Sequence, residues 1–130
     1  MELRSLIVDD SDHFLAAARE LLEREGITVV GVASTSDEAV RLARDLRPDV
    51  ALVDIDLGEE SGFELAKRLS GPGSDDLTRV VLISAYPERD FADMIAKSPA
   101  AGFLAKPQLS ASRIREILGA GEDGTGTRSA

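Results

Sequence analysis

The sequence of 130 residues contains no cysteine, no long apolar run and few basic residues. Without cysteine, the chain can form neither a disulfide framework nor a thiolate metal site. No apolar run approaches the roughly 20 residues that are needed to span a bilayer. The first residues, MELRS, lack the basic start and the apolar stretch of a signal peptide. We therefore expect a cytoplasmic protein without a membrane segment.

Positive charge is also scarce. Acidic residues outnumber basic residues by 24 to 15, which gives a formal net charge of -9 and a pI of about 4.6. A surface of this charge disfavours non-specific binding to nucleic acids and to anionic membranes, because both attract cationic proteins. The length and the 43% content of hydrophobic residues fit one soluble domain with its own core.

The apolar pattern alternates between short continuous runs and stretches of helical spacing. Five apolar runs predict buried strands, at residues 3–8, 27–33, 49–55, 79–85 and 102–106. Five stretches of helical spacing predict helices, at residues 12–25, 35–47, 62–70, 87–98 and 110–119. This alternation predicts a doubly wound α/β fold, with a five-stranded parallel sheet and five flanking helices. The polar, glycine-rich residues 119–130 predict a disordered tail or the start of a linker after a domain at residues 1–118.

Carboxylates follow two of the most apolar segments. LIVDD places Asp9 and Asp10 at the end of the first predicted strand, and LVDID places Asp54 and Asp56 at the end of the third. Ligands of such sheets bind beyond the carboxyl ends of the strands, so we expect these side chains to meet at one edge. Because like charges repel, a hard divalent cation such as Mg²⁺ would stabilise them, using one or two carboxylates and several waters.

Two further polar residues stand at the same edge. Ser84 lies near the end of the fourth predicted strand and Lys106 at the end of the fifth. They could offer a hydroxyl donor and a positive charge to a phosphoryl group that Mg²⁺ also neutralises. Taken singly, a serine or a lysine is usually structural or exposed, and paired carboxylates are often helix caps. The joint placement favours a functional site, whereas His13, the only histidine, has no predicted partner ligands.

The motifs LIVDD, LVDIDLGEESG, VVLISAY and GFLAKP, in this order, resemble the receiver domain of two-component response regulators over roughly residues 3–118. The resemblance implies a flavodoxin-like sheet with strand order 2-1-3-4-5 and a switch that phosphorylation activates. A sensor histidine kinase would donate the phosphoryl group, and an output domain or a downstream protein would receive the signal. Such a protein is a phosphoacceptor with autophosphatase activity and not an enzyme with a diffusible substrate.

The resemblance also implies roles for individual residues. Asp54 would be the phosphoacceptor. Asp10 would ligate Mg²⁺ directly, and Asp9 would do so through water or would position the ion. The backbone carbonyl of Asp56 would complete the metal shell. Lys106 would pair with the phosphoryl group and, before phosphorylation, with Asp54.

Three further residues take switch-related roles from the same resemblance. Ser84 would bind the phosphoryl oxygen, and Phe103 would change its rotamer together with Ser84. Pro107 follows the lysine, at a position where the family often has a cis peptide bond. The face formed by the fourth helix, the fifth strand and the fifth helix would report the change to a partner or to a second copy in a homodimer.

Some positions differ from the common pattern of the family. Gly58 stands four residues after the acceptor, where proline is frequent, and this predicts a looser loop. Asp56 stands where a neutral or basic side chain is frequent, and Tyr86 would lie across the entry to the site. Our hypothesis is that Asp56 and Tyr86 set the lifetime of the phosphorylated state.

Two other functions fit part of the pattern. The D-x-D of VDIDLG also occurs in Mg²⁺-dependent phosphohydrolases of the haloacid dehalogenase type, but there it normally opens the chain, and here it lies mid-chain without room for a cap domain. A non-phosphorylated pseudo-receiver module would lack the acceptor or the lysine, and both are present. The end of the chain, GEDGTGTRSA, resembles a linker, which is compatible with the receiver part of a longer transcriptional regulator.

Overall fold

The computed structural model describes residues 3–70 and 78–122. Five strands form one parallel sheet: β1 (Arg4–Val8), β2 (Thr28–Ala33), β3 (Val50–Asp54), β4 (Arg79–Ser84) and β5 (Gly102–Ala105). Their order across the sheet is β2-β1-β3-β4-β5, and every neighbouring pair is parallel. The predicted flavodoxin-like fold is therefore confirmed.

Helices cover both faces of this sheet. They are α1 (Asp12–Arg24), α2 (Ser36–Leu46), α3 (Gly62–Ser70), α4 (Ala92–Lys97) and α5 (Ala111–Glu122). Strand and helix bounds agree with the predicted ones within one residue at each end, except in the fourth and fifth helices. No helix within the described ranges combines the length and the apolar character that crossing a bilayer requires.

The last two helices differ from their predicted forms. The fourth begins as a 3₁₀ turn, Glu88–Phe91, before the short α4. Helix α5 continues to Glu122, beyond the predicted end at residue 119. Gly119 lies inside this helix, where a glycine costs only about 1 kcal/mol relative to alanine, which a packed helix can tolerate. The predicted tail thus overlaps α5, and its remainder, 123–130, lies outside the described residues.

The core consists of two apolar layers, one on each face of the sheet. Side chains alternate between the faces along each strand, so Ala51 and Val53 of β3 pack with α2 and α3, while Val50 and Leu52 pack with α1 and α5. By the same alternation, Asp54 ends β3 on the face of α1 and α5. Asp54 therefore reaches the carboxyl edge of the sheet from a strand that is otherwise apolar.

A short antiparallel hairpin joins β3 to α3, and this hairpin was not predicted. Asp56–Leu57 pairs with Glu60–Ser61. Gly58 lies in the turn of this hairpin and has a φ of 77°, which glycine adopts without strain. At Gly62, a Cβ would overlap the carbonyl oxygen of Asp54 and would lie 2.6 Å from the Cα of Ile55. This close approach brings the start of α3 directly against the end of β3.

The peptide bond before Pro107 is trans, unlike the cis bond that is frequent in the family. All peptide bonds of the described residues are trans. Pro107 lies instead in a 3₁₀ turn, Lys106–Gln108. Its fixed φ suits the first turn of a helix, where the missing N–H leaves no bond unmade.

Candidate functional site

Three carboxylates meet at the carboxyl edge of the sheet. One oxygen from each of Asp9, Asp10 and Asp54 lies within 4.8 Å of the others. They converge because β1 and β3 are neighbours, with Val8 opposite Val53, so the residues that follow arrive side by side. Asp9 and Asp54 are buried and Asp10 is exposed. An all-oxygen donor set with one open side suits a hard divalent cation.

Asp9 is held by the connection between β1 and α1. One of its oxygens, Oδ1, accepts a hydrogen bond from the N–H of Ser11 at 2.9 Å. Ser11 in turn is the N-cap of α1, and its hydroxyl accepts a hydrogen bond from the N–H of Phe14 at 3.2 Å. The start of α1 therefore fixes the direction in which Asp9 faces the site, whereas Asp10 keeps its side chain in solvent.

Asp54 is a carboxylate with only 6% of its surface exposed. Its Oδ1 accepts a hydrogen bond from the N–H of Asp56 at 3.0 Å, and its Oδ2 lies 3.2 Å from the Nζ of Lys106. Burial, together with the charge of Asp9, raises the pKa of Asp54 to about 6, although the Asp56 N–H and Lys106 act in the opposite direction. Added positive charge at this edge would therefore stabilise the ionised form of Asp54.

Lys106 reaches both buried carboxylates from the end of β5. Its Nζ lies 2.7 Å from Oδ2 of Asp9 and 3.2 Å from Oδ2 of Asp54, and its side chain is 21% exposed. The ammonium also lies 4.3 Å from the ring centroid of Phe14, at the distance of a cation–π contact. Burial lowers the pKa of Lys106, but its bonds and charge interactions with Asp9 and Asp54 outweigh burial, so the pKa is raised overall.

A cavity of about 580 Å³ opens beside Asp54, and Ser84, Tyr86 and Lys106 contribute to its lining. Ser84 is buried, and its Oγ accepts a hydrogen bond from the N–H of Tyr86 at 3.0 Å. The side chain of Tyr86 is 63% exposed. Phe103 lies in the apolar core, where its ring centroid is 6.5 Å from that of Phe91, which lines the cavity.

The remaining predicted site residues are exposed. Asp56 lines the cavity, and its Oδ1 accepts a hydrogen bond from the N–H of Gly58 at 3.2 Å. His13 is exposed on α1 and does not belong to the acidic cluster.

Two contacts near the site were missed in the sequence. The contact between Phe14 and Lys106 was only weakly indicated by the sequence, which places Phe14 in the first turn of the helix that follows Asp10. The hydrogen bond from the N–H of Ser36 to Glu60 had none, because the two residues are 24 positions apart.

The chain matches the family model of the response regulator receiver domain over residues 5–118. It belongs to this family. Among curated relatives, the response regulator GacA of Pseudomonas viridiflava is 31% identical to this receiver domain over 116 residues, which cover 88% of the chain and 53% of GacA. The chain spans about half the length of the curated relatives it matches, between 48% and 59% for three of them.

Solved structures agree with this receiver fold. The signal receiver domain of a modulated diguanylate cyclase from Desulfovibrio desulfuricans G20 is 35% identical, with a TM-score of 0.75, covering 94% of this chain and 95% of that chain. A response regulator protein from Burkholderia pseudomallei, solved with a phosphorylated aspartic acid, a calcium ion and citrate, is 26% identical. Its TM-score is 0.75, with 98% of this chain and 73% of that chain covered.

As a receiver domain, the chain is a phosphoacceptor of two-component signalling and not a turnover enzyme. The phosphohydrolase alternative is thereby set aside. Membership of the family also implies a histidine kinase as a partner.

Proposed function

We propose that this receiver domain accepts a phosphoryl group on Asp54 from a sensor histidine kinase, with Mg²⁺ as the cofactor. The supporting observation is that Asp54 lies within reach of Asp9, Asp10 and the ammonium of Lys106 in one partly open site. Asp54 is also the buried carboxylate that lines the cavity, so a phosphoryl donor can approach it.

The donor set fits Mg²⁺. The exposed carboxylate of Asp10 suits a direct ligand, together with Asp54 and the backbone carbonyl of Asp56. Asp9 already binds Lys106 and the N–H of Ser11, which suits a role in positioning the ion or in binding it through water. Mg²⁺ usually keeps several waters and takes one or two carboxylates. When bound, it neutralises charge on the phosphoryl oxygens.

The chain's own residues prepare Asp54 for the transfer. An oxygen of Asp54 attacks the phosphorus of a phosphohistidine, the P–N bond breaks, and the histidine leaves with the electron pair of that bond and takes up a proton. The N–H of Asp56 holds Oδ1, which fixes the orientation of the carboxylate. Lys106 offsets negative charge at Oδ2. Because phosphoryl transfer passes through a loose transition state, positioning and charge compensation supply most of the catalysis.

Ser84 and Phe103 are suited to convert phosphorylation into a change of shape. The Oγ of Ser84 accepts a hydrogen bond from the N–H of Tyr86, so the hydroxyl proton of Ser84 remains available to a phosphoryl oxygen. Movement of Ser84 toward the phosphoryl group would make room for Phe103 to turn, and Phe103 contacts Phe91 in the 3₁₀ turn before α4. A switch from mostly off to mostly on needs roughly 5 kcal/mol of differential interaction.

We infer that the α4–β5–α5 face carries the signal to an output domain, to a downstream protein or to a second copy of the chain. Since the chain spans 48% and 59% of two relatives that are named as transcriptional regulators, a longer transcriptional regulator is the favoured context. A kinase that phosphorylates this chain would meet it in the cytoplasm.

The test is incubation with acetyl phosphate and Mg²⁺, followed by intact-mass analysis. The wild type should gain the mass of one phosphoryl group, and a chelator should prevent the gain. Asp54→Asn should gain nothing, while the matched variant Asp56→Asn should still be modified. A phosphoryl gain in Asp54→Asn equal to that of the wild type would refute the proposal.

A further inference from the structure

The hairpin between β3 and α3 is tied to helix α2 by a charge-assisted hydrogen bond. The Oε1 atom of Glu60 accepts a hydrogen bond from the N–H of Ser36 at 2.7 Å. Ser36 is the first residue of α2 and is 5% exposed. The first N–H groups of a helix have no partner within the helix and favour a negative charge. The same helix is also capped by Thr35, whose hydroxyl accepts a hydrogen bond from the N–H of Glu38 at 3.2 Å. Helix α2 therefore does not depend on Glu60 for its cap.

The other side of the hairpin touches the carboxylate site. The N–H of Asp56 donates to Oδ1 of Asp54 at 3.0 Å, and Oδ1 of Asp56 accepts the N–H of Gly58 at 3.2 Å. In the turn, the position that a Cβ of Gly58 would take is 3.4 Å from Oδ2 of Asp10. The hairpin therefore contacts Asp54 directly and places the backbone of Gly58 beside Asp10.

Local structure alone holds this hairpin weakly. Each of its strands has two residues, and an isolated two-stranded hairpin is at best marginally stable in water. Its turn contains Gly58 rather than a conformationally restricted residue, so the unfolded loop has more freedom to lose. A bond from the hairpin to the rigid end of a helix would offset this.

From these contacts we propose that Glu60 is a positioning residue for the cation site. Its bond to Ser36 holds the hairpin so that the N–H of Asp56 reaches Asp54 and Gly58 lies beside Asp10. The proposal rests on the proposed function, since it assumes that a divalent cation binds at this cluster. It predicts that cation affinity depends on the Glu60–Ser36 bond rather than on the charge of Glu60.

Variants at position 60 separate the bond from the charge. Glu60→Ala removes both, Glu60→Asp keeps the charge on a side chain that is one methylene shorter, and Glu60→Gln keeps an acceptor of the same length. Glu59→Ala is the matched control, because Glu59 is an exposed carboxylate in the same turn. Mg²⁺ binding to each full-length chain is measured by calorimetric or NMR titration, and the exchange rate of the Ser36 amide is measured without metal.

Glu60→Ala and Glu60→Asp should each raise the Mg²⁺ dissociation constant about tenfold, as losses of supporting bonds at metal sites do. Glu60→Gln should raise it about threefold, since a neutral acceptor makes a weaker bond. Glu59→Ala should stay within about twofold of the wild type. In the metal-free protein, the Ser36 amide should exchange faster in the Ala and Asp variants only.

Equal affinities in Glu60→Ala, Glu60→Asp and Glu59→Ala would overturn the positioning role while the proposed function stands. A wild type that binds no Mg²⁺ would instead overturn the proposed function. If Glu60→Ala does not fold, the comparison of Glu60→Asp with Glu60→Gln decides, because Asp keeps the charge and Gln keeps the length of the side chain. A weaker Mg²⁺ affinity in Glu60→Asp than in Glu60→Gln supports the role of the bond, and equal affinities or a weaker affinity in Glu60→Gln would overturn it.

Discussion

Replacing Lys106 by methionine should destabilise the metal-free domain strongly. The substitution keeps the apolar stem of the side chain but removes the charge 2.7 Å from Oδ2 of Asp9, a residue that is 0% exposed. Removing one partner of a buried ion pair costs about 3–5 kcal/mol, because the remaining charge stays buried without compensation. Lys106 is 21% exposed, so we expect the lower end, about 3 kcal/mol. This cost also includes the lost contact with the ring of Phe14.

The pH dependence of this effect has a defined sign. The pKa of Lys106 is raised above 10.5 in the folded state, because Asp9 and Asp54 stabilise the charged form more than burial destabilises it. Its stabilising contribution is therefore complete below pH 10.5 and is lost only as the pH rises through the folded-state value. The ionisation of Lys106 itself should thus add no pH dependence near neutral pH to the difference in stability between wild type and Lys106→Met.

Urea denaturation with a chelator present measures the free energy of unfolding. Lys97→Met is the matched control, because Lys97 is an exposed lysine at the end of α4. Mg²⁺ should narrow the difference between Lys106→Met and the wild type, because the cation replaces the missing charge and binds the variant more tightly. A loss below about 1 kcal/mol in Lys106→Met, the size of an exposed ion pair, would refute the reasoning.

Three further predictions concern the same edge of the sheet. The pKa of Asp54 is raised from 3.8 to about 6, so between these two pH values the native state binds more protons than the unfolded state. The free energy of unfolding of the metal-free wild type should therefore fall with rising pH, by up to about 3 kcal/mol. In urea denaturation at several pH values, Asp54→Asn should lose this slope. Gly62→Ala should destabilise the domain by about 1–3 kcal/mol, since its Cβ would overlap the backbone of Asp54, and thermal unfolding measures the loss. Asp56→Asn and Tyr86→Ala should change the rate at which the phosphorylated protein loses phosphate, measured by intact mass over time.

Each of these has an outcome that contradicts it. An Asp54→Asn variant with the pH slope of the wild type would show that another group titrates in the window. A Gly62→Ala variant as stable as the wild type would mean that β3 and α3 can separate without cost. Unchanged dephosphorylation rates in both Asp56→Asn and Tyr86→Ala would reject their role in the lifetime.

Much of the fold follows from patterns that are local in the sequence. Continuous apolar runs such as LIV and VALV favour strands buried on both faces, and the intervening helical stretches favour parallel crossovers. Parallel strands place their carboxyl ends at one edge, so the meeting of Asp9, Asp10, Asp54 and Lys106 could be predicted from strand ends alone.

What could not be predicted depends on side-chain directions and on residues far apart in the chain. The bond between Glu60 and Ser36 joins two loops whose relative position only the packed sheet determines. The stacking of Lys106 on Phe14 depends on rotamers that no spacing specifies. The trans bond before Pro107 depends on the 3₁₀ turn that continues from Lys106, which local sequence left open between two isomers.

The most direct test of the account is to locate the phosphoryl group chemically. After incubation with acetyl phosphate and Mg²⁺, borohydride reduces an aspartyl phosphate to homoserine, and peptide mass mapping identifies the converted residue. The account predicts homoserine at Asp54 alone, and none when Mg²⁺ is removed by a chelator. Homoserine at Asp9, Asp10 or Asp56, or no conversion with Mg²⁺ present, would contradict it.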